Sequence, residues 1–246
     1  MNHTPAHLSL VSWNIHRGRG QDGVVNPART ADVLARETLA QPAELLILQE
    51  ADEERAPHRG VLPLTDVEAR TGLRHLHSED HGRWGGDSHG FLGVFVMGNA
   101  GIEVEDVALL DLPGHCHRGA VILDLRREGH SFRLIATHLS LSQVLRVVQM
   151  RTLAQHLFRR QARPTILCGD LNEWRPWGGL AFSRRVLGQS FTGPAPATFP
   201  VGRPVLPLDR VLAACGARVT GAGALDGPGI RVASDHRPLR AEVAIG

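Results

Sequence analysis

Short apolar runs recur along this chain, and a polar residue able to do chemistry closes most of them. "HLSLVSWNI" (7–15), "AELLILQE" (43–50), "GFLGVFVMG" (90–98), "AVILDLRR" (120–127), "FRLIATHL" (132–139) and "TILCGD" (165–170) have strand length and are bounded by turn residues. "LDRVLAA" (208–214), "IRVASDH" (230–236) and "RPLRAEVAI" (237–245) read the same way. Helical patterns are fewer. Residues 26–38 start with Asn26 as N-cap and Pro27 at the first helical position. Ser142 caps a longer helix in which Val147, Met150, Ala154, Leu157 and Phe158 share one face. Gly- and Pro-rich stretches at 188–207 and 221–229 read as surface loops. No linker or repeat divides the chain. The pattern predicts one α/β domain over 1–246, with two packed sheets and helices outside.

The strand ends carry the chemistry. Asn14, Glu50, His138, Asp170 with Asn172, Asp209, and Asp235 with His236 each stand at or near the end of an apolar run. Buried singly, such groups are costly; gathered at one rim, they satisfy each other and a cation. In "TILCGDLN" Gly169 is expected to break the strand, leaving Asp170 and Asn172, two residues apart, to face one point. Taken alone, each signal has an ordinary reading: a turn, a solvated edge, a structural histidine, or an Asp209–Arg210 ion pair. Together they suit a phosphate ester. Glu50 and Asn14 offer oxygen ligands for Mg²⁺. His236, if held by Asp209, would bind the phosphoryl group or shuttle a proton. Asp170 would orient or deprotonate an attacking water, and Asn172 would position that water or the phosphate.

Composition narrows the classes. A chain of 246 residues with 42% hydrophobic content can bury a sizeable core. A formal charge of +2 gives no strong basic field, and 4% aromatics without tyrosine weaken a nucleic-acid groove. Cys116, Cys168 and Cys215 are too scattered for a disulfide framework or zinc knuckle, so a reducing, cytoplasmic setting is expected. The start of the chain has no secretory pattern, and no run reaches transmembrane length. No protein partner is indicated; work at a membrane surface stays open. The loop at 77–90 and "HCH" at 115–117 contain metal-ligand types, but a solvated loop explains the first and three adjacent residues cannot close a shell in the second.

In chain order, "SWNIH", "LILQEAD", "ATHLS", "CGDLNE", "LDRVL" and "SDHRPL" resemble the endonuclease/exonuclease/phosphatase superfamily, with its deoxyribonuclease-I-like fold. The resemblance implies a four-layer α/β/β/α sandwich and a metal-dependent phosphoric ester hydrolase, using Mg²⁺ with Mn²⁺ as an alternative. It implies Glu50 as the principal metal ligand with Asn14 beside it, and Asp235 as a carboxylate on the metal side. Asp170 and Asn172 become the orienting pair, Asp209 holds His236, and His138 contacts the phosphate. His16 and Arg118 are further phosphate-contact candidates. His16 replaces an acid found in several nuclease relatives, so a second Mg²⁺ is disfavoured; a phosphate hydrogen bond from His16 is the other reading. Asp87 is the candidate carboxylate partner of His138. The phosphodiester could be lipid, small molecule or nucleic acid. A non-catalytic binding protein on the same fold predicts losses among these positions, and none is lost.

Overall fold

Alternation along each strand decides which side it buries, and that fixes where the polar ends point. The computed structural model of the protein describes residues 6–79 and 82–246. Its strands are β1 (Ala6–Asn14), β2 (Leu45–Gln49), β3 (Arg74–His75), β4 (Phe95–Gly98), β5 (Glu103–Leu112), β6 (Arg118–Arg127), β7 (His130–His138), β8 (Thr165–Asp170), β9 (Asp209–Ala214), β10 (Arg218–Ala224) and β11 (Leu239–Ile245). They form two sheets, ordered β10-β11-β1-β2-β4-β3 and β5-β6-β7-β8-β9. Helices α1 (Pro27–Val33), α2 (Leu64–Thr71), α3 (Gln143–Phe158), α4 (Arg184–Leu187) and α5 (Ile230–Ala233) lie outside. This is the four-layer sandwich.

The layer between the sheets is built from Leu8, Leu10, Ile47, Leu134, Ala136, Ile166, Cys168 and Val211, among others. Each fully buried aliphatic side chain contributes roughly 1.5–3 kcal/mol. The alternate residues Val11, Trp13, Leu46 and Leu48 face α1, α2 and α5, while Ile135 and Leu167 face α3. Carried one step further, the inward parity of β1 reaches Asn14, that of β7 reaches His138, that of β8 reaches Asp170 and that of β9 starts at Asp209. Register completes the arrangement: His138 pairs with Asp170 across parallel strands, and Asp170 with Asp209 across antiparallel ones.

The structure corrects several local expectations. Gly169 does not break β8, which runs through Asp170. Its φ is +134°, and a Cβ there would lie 1.9 Å from the Thr137 carbonyl oxygen, so β7 and β8 approach closely only because it is glycine. Residues 230–233 form α5 rather than a strand, because Glu37 accepts the Gly229 and Ile230 amides at 2.8 Å and 3.2 Å. Phe91–Val94 is a turn, so β4 begins at Phe95. Asn26 caps α1 as expected, its side chain accepting from the Arg29 amide, and a π-helical turn continues it over Leu34–Thr38. Ser142 stands at the N-cap of α3, but its hydroxyl makes no capping bond, and Phe158 leaves the buried face with 72% exposure. Edge strands β3, β5 and β10, and helices α2 and α4, lie outside the expected elements; β10 takes up part of the expected 221–229 loop.

Candidate active site

A cavity of about 440 Å³ opens where the inward-facing strand ends meet. Asn14, His16, Glu50, Arg118, His138, Asp170, Asn172, Asp235 and His236 all line it. Asp209, the other residue singled out from sequence, is buried behind His236. Two further residues of this cavity stand outside the sequence reading. Arg17 lies in "NIHRGRG" just after Asn14, at a φ of 50°. Trp174 lies just past "GDLNE" and lines the cavity with Leu141, Phe199, Leu206 and Leu208. The Arg beside the first polar strand end was a readable signal; the apolar wall was not, because its members come from separate loops.

One wall is a closed network. Asp170 and Asp209 face each other across the strand pair, an arrangement of like charges that repels on its own. His236 sits between them, with Nδ1 2.8 Å from Asp209 Oδ2 and Nε2 3.7 Å from Asp170 Oδ2. Burial opposes a charge on His236, but Asp209 and Asp170 outweigh it and raise its pKa to about 10. The Thr198 hydroxyl donates to Asp209 at 2.5 Å. Asp170 also accepts from Asn14 Nδ2 at 3.0 Å and from the Asn172 amide at 3.1 Å. His138 Nε2 lies 3.4 Å from Asp170. Burial lowers the His138 pKa to about 3, so it is neutral. Asp170, Asp209 and His236 are close enough to form a metal-ligand cluster. Each carboxylate already faces the His236 imidazolium, however, so the cation between them is the side chain itself.

The other wall is more open. Arg17 donates to Glu50 at 2.6 Å. The second Glu50 oxygen makes only a 3.5 Å contact with Asn14 Nδ2. Glu50 is not a strand residue: β2 ends at Gln49, and a φ of 57° turns Glu50 into the cavity. His16 Nδ1 lies 3.6 Å from Asp235, both side chains 33% exposed. Arg118 reaches the cavity with a buried Nε that has no partner among the described residues.

Two backbone ties hold the walls together. The Trp13 indole donates to the His236 carbonyl at 2.9 Å, and the Ser234 hydroxyl donates to the Asn14 carbonyl at 2.7 Å. Asn172 faces the cavity less simply than alternation predicts. Its φ is 50°, and its Nδ2 donates to the Leu139 carbonyl at 2.9 Å, leaving the amide oxygen for the cavity. Arg210 does not pair with Asp209; it donates to the carbonyls of Glu173, Arg175 and Pro207 and so clamps the loop after Asn172.

Other candidates separate from the site. Asp87 is exposed and faces Arg59 at 3.8 Å, so the carboxylate next to His138 is Asp170. In the 77–90 loop, His77 Nδ1 donates to the Gly82 carbonyl at 2.7 Å and its Nε2 accepts from the Val96 amide at 3.0 Å, a structural role. Asp80 and His81 of that loop lie outside the described residues. His115, Cys116 and His117 line a second cavity of about 380 Å³. It shares Arg17, Glu50, Arg118 and His138 with the first.

Residues 11–236 match the endonuclease/exonuclease/phosphatase family. No curated protein matches the chain in sequence. Among solved structures it is similar to a mannosyl-6-phosphatase of Bacteroides thetaiotaomicron, at 15% identity and a TM-score of 0.73, covering 96% of this chain and 99% of that one. It is similar to the human Nocturnin catalytic domain with bound sulfate, at 19% identity and 0.68, covering 98% of each. It is also similar to D. rerio TDP2 complexed with single-strand DNA product, at 15% identity and 0.68, covering 97% and 99%. These likenesses are of fold.

Proposed function

We infer, from the premise that this chain belongs to the endonuclease/exonuclease/phosphatase family and so hydrolyses phosphate esters, that it is a Mg²⁺-dependent phosphodiesterase acting by in-line attack of water. One observation carries the choice of diester. Two cavities share Arg17, Glu50, Arg118 and His138 and are otherwise lined by different residues, giving a phosphorus at the shared residues room for two substituents. A monoester would need one. We also read residues 1–246 as a single catalytic domain, supported by one apolar layer shared between both sheets. A cytoplasmic setting is supported by three free cysteines.

The residues fit a divalent ion. One Glu50 oxygen has, among the described residues, no hydrogen-bond partner nearer than Asn14 Nδ2 at 3.5 Å, and Asn14 and Asp235 share its cavity; this is a hard oxygen donor set, suited to Mg²⁺ and acceptable to Mn²⁺. Such an ion, when bound, draws charge off the phosphoryl oxygens. The rest falls to the side chains. Arg17, Arg118 and the His236 imidazolium supply positive charge around the phosphate. Asp170, fixed by Asn14, Asn172 and His138, orients the attacking water and accepts its proton. Asn172 presents its amide oxygen to that water. Asp209 keeps His236 charged and aimed. His16 donates to a phosphate oxygen, and no second metal is needed.

The test is a substrate panel: bis-aryl and mono-aryl phosphates, single- and double-stranded DNA, RNA, and phospholipids, each with Mg²⁺, Mn²⁺ or chelator. The expected result is chelator-sensitive turnover with the diester ahead of the monoester. A monoester preferred over every diester overturns the reading.

A further inference from the structure

Between Glu173 and Asp209 the chain has no acidic residue, while Arg175, Arg184, Arg185 and Arg203 give the stretch four positive charges. Arg175 pairs with Glu173 at 2.8 Å, and Arg184 and Arg185 stand on α4, whose C-cap Gly188 lies against Phe158 at the far end of α3; of the four, Arg203 stands beside the cavity. The same stretch exposes Trp174, Trp177, Leu180 and Val205 at 52%, 76%, 51% and 64%. It joins Asn172 to Asp209, so both its ends are fixed at the active site. Trp174 and Leu206 line the cavity, and Leu141, 78% exposed, lines it from the start of α3 with exposed Val144 close behind in sequence. This exposure is not a failed core. Ala181, Phe182, Val186 and Leu187 of the same segment pack against α3, and Arg210 holds the carbonyls of Glu173 and Arg175.

Exposed tryptophan and aliphatic side chains interleaved with arginine suit the boundary between lipid headgroups and acyl chains. A single-stranded nucleic acid needs open aromatic faces for its bases. Trp177 offers one open face, but the Trp174 ring already carries the Arg175 guanidinium 5.0 Å from its centroid, and Leu141, Val144, Leu180 and Val205 offer no surface for the successive bases of a strand. Arg203 sits in the turn joining Phe199 to Leu206, which pair across it beside the cavity. We propose that this rim is a docking surface for an anionic lipid bilayer, setting the mouth of the cavity at headgroup level, where lipid phosphodiesters lie. Presentation of a substrate there rests on the phosphodiesterase reading; docking itself does not.

The test is co-sedimentation of the full chain with vesicles of phosphatidylcholine alone or mixed with phosphatidylglycerol. The expected result is binding to the mixed vesicles that falls with added salt, with a blue shift of tryptophan emission. Trp177→Ala with Leu180→Ala lowers partitioning about tenfold. Arg203→Glu lowers it about fivefold on mixed vesicles only. Arg159→Glu with Arg218→Glu, at the far ends of α3 and of the β1 sheet from the cavity, stays within about twofold of the wild type. Equal partitioning of the Trp177/Leu180 variant and the wild type overturns the proposal. So does displacement of the protein from mixed vesicles by single-stranded DNA, which would make the rim a nucleic-acid surface. Turnover of a soluble bis-aryl phosphate, measured alongside, separates the two readings: vesicle binding without turnover removes the hydrolase reading and leaves docking intact.

Discussion

On the wall built from β7, β8 and β9, the side chains of His138, Asp170 and Asp209 are 4%, 2% and 0% exposed and are held by bonds to neighbouring protein groups. On the facing wall, Glu50 and Arg17 are 14% and 32% exposed and hold chiefly each other. Folding has therefore set the geometry of the first wall before any ligand arrives, because its charges are compensated internally. The second wall is provisional. Arg17 neutralises Glu50, so in the proposed reading an incoming ion would share that carboxylate with the guanidinium or displace it. Damage to the first wall should appear in the rate of the chemical step, and damage to the second in its metal dependence.

The largest expected effect tests the closed wall. Asp170→Asn and His236→Ala should each lower kcat by a factor of about 10² or more, with smaller changes in KM. Steady-state kinetics on a bis-aryl phosphate decides this; a raised KM with kcat intact would make that wall a binding surface. Next, Glu50→Gln should leave the fold intact but lower turnover by about 10² at limiting Mg²⁺, with partial recovery at high Mg²⁺. Wild-type turnover at low Mg²⁺ would erase the distinction between the walls.

A third test uses acidity. His138 stays neutral in the folded protein down to about 3, whereas an unfolded histidine takes up a proton near its ordinary value of 6.5. Between those values the unfolded chain binds the extra proton, so stability falls as pH falls, by about 2 kcal/mol at pH 5. Buried His75 and His77, lowered to about 2 and about 4, act in the same sense, so urea midpoints at pH 7 and pH 5 should show a larger total drop, of which His138→Gln should remove about 2 kcal/mol. His236 acts with the opposite sign: its contribution is present at low pH and is lost as pH rises toward about 10. The smallest effect sharpens the contrast. Arg17→Ala should tighten Mg²⁺ binding about fivefold in calorimetry by freeing Glu50, while losing a phosphate contact. Weaker Mg²⁺ binding in that variant would show Arg17 supporting the ion rather than competing with it.

The closed wall was the more legible in sequence. Its residues continue the parity of apolar strands, so "LIATH", "TILCGD" and "LDRVL" display both the strand and its functional end. The open wall depends on backbone turns that alternation does not encode. Glu50 and Arg17 reach the cavity through left-handed φ values, and nothing in "HRGRG" announces an ion pair with a residue 33 positions on. The same logic explains the missed elements. β5 and β10 are sheet edges: four of the ten residues of the first are acidic, and the second is rich in glycine and alanine, so neither shows a buried apolar run. Residues 230–233 have β-branched character, yet the carboxylate of Glu37, distant in sequence, makes them a helix.

β1 pairs with β11 along most of its length, and the indole of Trp13 reaches the carbonyl of His236. This seam joins residues more than 200 positions apart, Trp13 and His236 among them. During synthesis, Asn14, Glu50, His138, Asp170 and Asp209 all emerge before the imidazole that separates the two facing carboxylates. Until His236 and then Leu239–Ile245 arrive, Asp170 and Asp209 repel, and β1 lacks its antiparallel neighbour. The facing carboxylates of Asp170 and Asp209 thus owe their compensation to a residue that the β1–β11 seam holds in place.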